Sequence, residues 1–168
     1  AKSQNSDLKG MVGVGTWNTA AEFDNIKVVS NETGKTLEEQ NFDKDTFDEK
    51  WYNVAYGKFK VDDGKLVQSS TRTTYETTGS VAYLGYTDWE DYTYTLSATK
   101  TAGDEGFLIP IAVQGTSDNY FWNIGGWNNT VSCLQQVTAG AKSDQITGTT
   151  KDCRIVTGKT YELKIVVS

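Results

Sequence analysis

From Tyr92 to Thr99 the side chains change character at every step. Tyr92, Tyr94, Leu96 and Ala98 fall on one side, while Thr93, Thr95, Ser97 and Thr99 fall on the other. A period of two belongs to an extended strand with one apolar and one polar face, so this segment is set for a sheet. Tyr161, Leu163, Ile165 and Val167 alternate with Glu162 and Lys164 in the same way. Such half-buried strands are typical of antiparallel sheets. Residues 107–113 are instead almost wholly apolar, the pattern of a strand covered on both faces, and Pro110 inside them requires a bulge or an edge-facing position. Further strands are expected over 10–16, 24–29, 58–61, 65–69 and 80–84.

Turn chemistry separates these segments. Asp62-Asp63-Gly64-Lys65 reads as a hairpin turn, because an Asp-Gly pair accepts positive φ at low cost. Residues 101–104 and 157–159 are similar punctuation. No stretch sustains a helical period; at most 36–40 or 44–50 forms a short turn of helix. With 16 Gly, 9 Tyr, 5 Trp and a single Pro, the composition also favours pleated surfaces joined by tight turns. The expected architecture is all-β, a two-sheet antiparallel sandwich or jelly roll.

At 168 residues the chain is read as one domain over 10–168, preceded by a polar linker or terminal tail over 1–9. The formal charge is -6 and the Lys and Arg residues are scattered, which argues against nucleic acid and anionic membrane surfaces as partners. No apolar run approaches the length of a membrane-spanning helix, so a soluble protein is expected. Histidine is absent. That removes Ser-His-Asp and Cys-His nucleophile systems and the commonest zinc ligand, and it leaves carboxylate chemistry and oxygen-ligated calcium open. Cys133 and Cys153 fit one disulfide closing a loop of about 20 residues, worth roughly 3 kcal/mol; the alternative is two unrelated thiols.

The stretch Tyr120-Phe121-Trp122-Asn123-Ile124-Gly125-Gly126-Trp127-Asn128-Asn129 carries the functional signal. Alternation puts Tyr120 and Trp122 on one face and Phe121 and Asn123 on the other. Gly125-Gly126 then permits a bend that re-aims Trp127 and the two asparagines. Indole rings beside amides suit a sugar, which offers C–H faces for stacking and hydroxyls for hydrogen bonds. The competing reading is a core strand whose aromatics merely pack.

Five segments resemble a known family, the last four of them in the family's order. Residues 13–28 (beginning Gly-Val-Gly-Thr-Trp-Asn-Thr), 91–96, 105–109, 118–127 and 157–161 are similar to the concanavalin A-like, laminin-G-type jelly roll that accompanies family 51 α-L-arabinofuranosidases. In that family the segment resembling 13–28 comes last, after a further hairpin; here it comes first, the arrangement of a circular permutant or of a boundary cut through a longer protein. The resemblance implies a non-catalytic carbohydrate-binding module for plant cell-wall polysaccharide of the xylan, arabinoxylan or arabinan type. It also implies an attached glycoside hydrolase domain, a secreted location, a monomer and no required cofactor.

On that reading Trp127 and Trp17 are the stacking surfaces, with Tyr120 or Trp122 beneath them. Asn18, Asn123 and Asn128 supply amides. Glu22 and Glu105 each accept two hydroxyl hydrogen bonds, and Arg72, in the Thr-rich segment 69–78, donates to sugar oxygens. Trp51 and Trp89 are expected to pack in the core or at its rim. A structural calcium would use Asp24 or the acids around 43–48. Two other functions compete. One is a small glycoside hydrolase drawing on Glu22, Glu76 and Glu105, although a Glu-x-Asp-x-x-Glu motif is absent. The other is a structural or adhesion domain that uses the Trp-Asn cluster as a protein interface.

Overall fold

Turn residues and alternation together divide the chain into strands, which in the computed structural model are β1 (Val12–Thr16), β2 (Thr19–Ser30), β3 (Thr36–Gln40), β4 (Trp51–Asn53), β5 (Phe59–Asp62), β6 (Lys65–Gln68), β7 (Ser80–Leu84), β8 (Tyr92–Gly103), β9 (Phe107–Gly115), β10 (Asp118–Gly125), β11 (Val131–Thr138), β12 (Ala141–Lys142), β13 (Lys151–Asp152) and β14 (Thr160–Val167). The structure describes residues 8–44, 47, 50–53, 57–71 and 79–168. One sheet runs β12-β11-β10-β9-β1-β7-β4, with β13 also on β11; the other runs β14-β8-β2-β6-β5, with β3 also on β2. All strand pairs are antiparallel. The expected all-β sandwich is what forms. No helix of the described residues is long and apolar enough to cross a membrane.

The apolar faces meet between the sheets. Phe23, Tyr92, Tyr94 and Leu96 from the second sheet face Val12, Val14, Phe107 and Ile109 from the first in one buried cluster. The inward tyrosines explain why this face is not simply leucine. Tyr94 Oη donates to the Gly13 carbonyl at 2.9 Å, and Tyr92 Oη accepts the Ala112 amide at 3.1 Å. Each hydroxyl therefore spans the core and satisfies a backbone group of the opposite sheet. Pro110 sits in β9 where the ladder to β1 is open: the two strands pair at Thr16–Phe107 and again at Met11–Val113. A register shift between Asp118 and Tyr120 marks the bulge, where Ala112 has φ 49°.

A second buried cluster lies on the outer face of the first sheet, where Tyr83, Leu108, Phe121 and Val137 pack together with Trp17 against them. Trp51 and Trp89 are buried, as expected of core or rim packing. One expected helical turn is corrected: Thr36–Gln40 is strand β3, held beside β2 by an antiparallel ladder with a register shift between Val28 and Val29, and by a Lys27–Glu39 ion pair of 3.3 Å. Most of the other, 44–50, lies outside the described residues.

The expected disulfide is also corrected. Cys133 and Cys153 are unbonded thiols. Cys133 lies opposite Asn123 in the β10–β11 ladder and so shares the outer face of the sheet, whereas Cys153 packs against the core between the sheets. The β11 backbone separates them. Burial raises both thiols above their ordinary range. Thiol titration of the unfolded, unreduced chain is expected to find two free thiols; none would restore the bridge.

One buried amide holds the two sheets in register. The two N–H groups of Gln68 Nε2 are shared among Thr16 Oγ1 (2.7 Å), Thr19 O (3.0 Å) and Ser70 O (2.8 Å), while its Oε1 accepts the Ser70 amide at 2.7 Å. Gln68, Thr16 and Thr19 are all fully buried. Removing the amide strands several polar groups away from water. Gln68→Ala is expected to lower unfolding stability by about 2–4 kcal/mol, measured by urea denaturation; a loss below about 1 kcal/mol would show that the clip is dispensable.

Candidate functional site

The chain crosses from the first sheet to the second through two residues, Trp17 and Asn18, between β1 and β2. Asn18 has φ 49°, a conformation asparagine tolerates better than most residues. The turn between β8 and β9 fastens onto this corner. The Asp104 amide donates to Asn18 O at 3.0 Å, and Asn18 Nδ2 donates to Asp104 Oδ2 at 3.3 Å. The Glu105 amide donates to Thr19 Oγ1 at 3.0 Å. Gly103, at φ 100°, is required here, because a Cβ would lie 2.2 Å from Asn18 O.

Glu105 then reaches the turn between β10 and β11. Gly125 (φ 74°, ψ 34°), Trp127 (49°, 63°), Asn128 (58°, 42°) and Asn129 (φ 62°) are left-handed, and the Thr130 amide donates to Gly126 O at 3.0 Å. Left-handed backbone costs a residue with a side chain about 1–2 kcal/mol, so a turn built this way has to be held. The Glu105 carboxylate accepts the Asn128 amide at 3.3 Å and also the Trp127 amide. Asn129 clamps the far side, its Nδ2 donating to Ile155 O at 2.8 Å and its Oδ1 accepting the Ile155 amide at 2.7 Å. Thr130 Oγ1 donates to Trp127 O at 2.7 Å. The outcome is an indole 39% exposed on a backbone fixed from three directions.

Lys142 adds the opposite charge. Its Nζ lies 4.5 Å from the centroid of Trp17 and 6.0 Å from that of Phe121. Burial lowers its ammonium, and the Glu105 charge opposes that shift. Burial likewise raises the Glu105 carboxyl, against the Asn128 amide and the Lys142 charge. The result is an apolar plate, a half-buried acid and base, and exposed amide groups at one end of the sandwich. Such a set can stack against C–H faces and exchange hydrogen bonds with hydroxyls.

Of the residues singled out in the sequence, Trp17, Asn18, Glu105, Trp127 and Asn128 come together here. Trp17 differs from expectation in one respect: Lys142 stands over its ring. Asn123 is buried, donating to Gln135 Oε1 at 2.9 Å, with its amide directly against Gly126. Tyr120 and Trp122 face the core between the sheets, and Trp122 Nε1 donates to Ser132 Oγ at 2.8 Å. Glu22 lies apart on β2, ion-paired with Lys65 at 2.9 Å. Asp24 accepts the Asn25 amide at 2.7 Å, and among the described residues no three His, Cys, Asp or Glu side chains form a metal-binding group. Arg72 and Glu76 lie outside the described residues. Sequence reasoning missed Asp104, Asn129 and Lys142. Asn129 was within view beside Trp127, but Lys142 belongs to a two-residue strand that leaves no periodic trace.

Comparison with known proteins narrows the setting. No family model and no solved structure matches the chain. It is 36% identical over 160 residues, 95% of its length, to an extracellular exo-alpha-L-arabinofuranosidase of Streptomyces chartreusis. The chain is similar to one portion of that enzyme. It spans 18% of the enzyme's length, which places the resemblance in an associated part of a much larger protein.

Burial gives Glu105 a pH signature. Its carboxyl is raised above the ordinary 4.5, so the folded chain holds the proton more tightly than the unfolded chain. The corresponding stability is full below the unfolded value and is lost as pH rises through the raised folded value. Urea unfolding from about pH 4 to pH 7 is expected to show wild type losing stability relative to Glu105→Gln as pH rises. A difference that does not change with pH would contradict the burial of this carboxyl.

Proposed function

We propose that this domain is a non-catalytic carbohydrate-binding module that holds arabinose-bearing plant cell-wall polysaccharide, of the xylan, arabinoxylan or arabinan type, and keeps an attached glycoside hydrolase on its substrate. The observation that carries the reading is Trp127, an exposed indole on a left-handed turn whose backbone is held by Glu105 and Thr130. A fixed aromatic plate loses little conformational freedom when a sugar ring stacks on it. Similarity to part of an extracellular exo-alpha-L-arabinofuranosidase supports both the ligand class and a secreted location.

The raised Glu105 carboxyl favours a second reading, in which it is the general acid of a glycoside hydrolase. That chemistry needs a second carboxylate about 5–9 Å away, across the scissile bond. Glu22 is ion-paired with Lys65 of the neighbouring strand β6, Asp104 directly precedes Glu105 in the same turn and accepts Asn18 Nδ2, and the Glu105 carboxylate is itself engaged by the backbone of the Trp127 turn. The binding reading is therefore preferred.

Trp127→Ala is expected to weaken polysaccharide binding by about 1–3 kcal/mol in affinity electrophoresis or calorimetry, with the urea midpoint unchanged or higher. Wild-type protein is expected to release no reducing sugar from xylan, arabinan or arabinoxylan. Unchanged affinity in Trp127→Ala would move the site elsewhere, and hydrolysis abolished by Glu105→Gln would establish the enzyme.

A further inference from the structure

Among the described residues, one lysine is buried without a partner for its charge. Lys100 continues the inward row Tyr92, Tyr94, Leu96 and Ala98 of β8 and is only 3% exposed. A buried charge is costly unless it is paired, yet no ion pair or hydrogen bond serves this ammonium. Nor is it sealed. The sealed side-chain atoms that lack a partner are Trp51 Nε1, Tyr83 Oη and Asn119 Oδ1, so Lys100 Nζ keeps an opening to solvent. The charges that act on it are those of Asp104, Glu105 and Arg154, which puts it at the end of the sandwich that carries Trp127. Arg154 is exposed, and its backbone is held on both sides: the Cys153 amide donates to Thr130 O at 2.9 Å, and Ile155 is clamped to Asn129. The Gly158 amide donates to Lys100 O at 2.9 Å, which ties the same segment to β8. The Arg154 guanidinium likewise has no ion pair among the described residues.

We propose that Lys100 and Arg154 receive the carboxylate of a uronic acid, carried by a polysaccharide whose neutral rings lie on Trp127. The inference rests on the binding reading above and adds a charge to its ligand. A planar guanidinium meets a carboxylate with two parallel hydrogen bonds, and an ammonium already stripped of most of its water adds a strong third. Without an anion the two cations repel each other, and each lacks a counter-charge in contact. The nearby acids do not fill that role. Asp104 accepts Asn18 Nδ2, and Glu105 accepts the amides of Trp127 and Asn128. Lys142 adds a third cation, so Lys100, Lys142 and Arg154 stand against Asp104 and Glu105 at this end of a chain whose formal charge is -6. An acidic polysaccharide is repelled by the chain as a whole and drawn to this end.

Calorimetry of the whole chain with glucuronoxylan and with polygalacturonate, each before and after its carboxyls are reduced to alcohols, tests this. Wild type is expected to bind at least one acidic polymer roughly tenfold tighter than its reduced form, and the polymer that shows the preference identifies the source of the acid. Raising salt from about 20 to about 500 mM is expected to erase most of that preference. Lys100→Met, which keeps an apolar stem, and Arg154→Gln, at an exposed position, are each expected to do the same at low salt. Trp127→Ala is expected to weaken acidic and reduced forms alike. Far-ultraviolet circular dichroism checks that the variants keep the sheet; should Lys100→Met fail to fold, Arg154→Gln and the salt series decide. Equal affinity for acidic and reduced polymers overturns the inference and leaves the binding reading standing. So does a preference that survives substitution in a folded variant, or one that grows with salt. A chain that binds none of these polymers, nor arabinoxylan, overturns both.

Discussion

The Gln68 amide fixes the corner on which the candidate site is built. It joins Thr16 at the end of one sheet to the backbone of Thr19 at the start of the other, leaving Trp17 and Asn18 no freedom of path. With the corner set, Thr19 Oγ1 and Asn18 O receive the amides of Glu105 and Asp104. With Glu105 set, its carboxylate receives the amides of Trp127 and Asn128. The order of dependence runs from a buried side-chain clip, through a two-residue crossover, to an exposed ring. Apart from the contact between Gln68 and the Thr16 hydroxyl, each step has a backbone group as one partner, which positions more firmly than contact between flexible side chains.

Charge in this region is organised by scarcity of water. Glu105 and Lys142 each lose solvation by sharing the end of the sandwich with Trp17 and Phe121, and each offsets part of the other's loss. The pair belongs to a surface that is neither core nor open solvent. On the proposed reading, a sugar hydroxyl would meet there hydrogen-bonding groups already partly stripped of water.

Much of the fold was legible because alternation and turn residues are local. Residues 92–99 and 161–167 read as strands from side-chain period alone, although β8 runs on to Gly103 through residues 101–103, which read as a turn; Asp63-Gly64 reads as a turn from its tolerance of positive φ, which both residues adopt. β3 was not legible: Thr-Leu-Glu-Glu-Gln has no strand period, and its conformation is set by its neighbour β2. Within the aromatic stretch, the sequence separates Tyr120 and Trp122 from Asn123 by face but does not say which face meets the core. Trp17 lies in the crossover and packs against the outer cluster of the first sheet, whereas Glu22, five residues on, lies in β2 of the second. The two cysteines illustrate the same limit, since sequence spacing is blind to a sheet passing between two thiols. Lys142 acquires its place from Trp17 and Phe121, which lie far from it in the chain.

The left-handed turn at Gly125–Asn129 has a kinetic consequence. Trp127 is carried on a left-handed backbone that is tied to Glu105 and Thr130, with the nearby Asn129 clamped to Ile155. On the proposed binding reading, a turn fixed in this way stands in place before a ligand arrives, so encounter needs no rearrangement of its backbone and differences in affinity between ligands lie mainly in their dissociation.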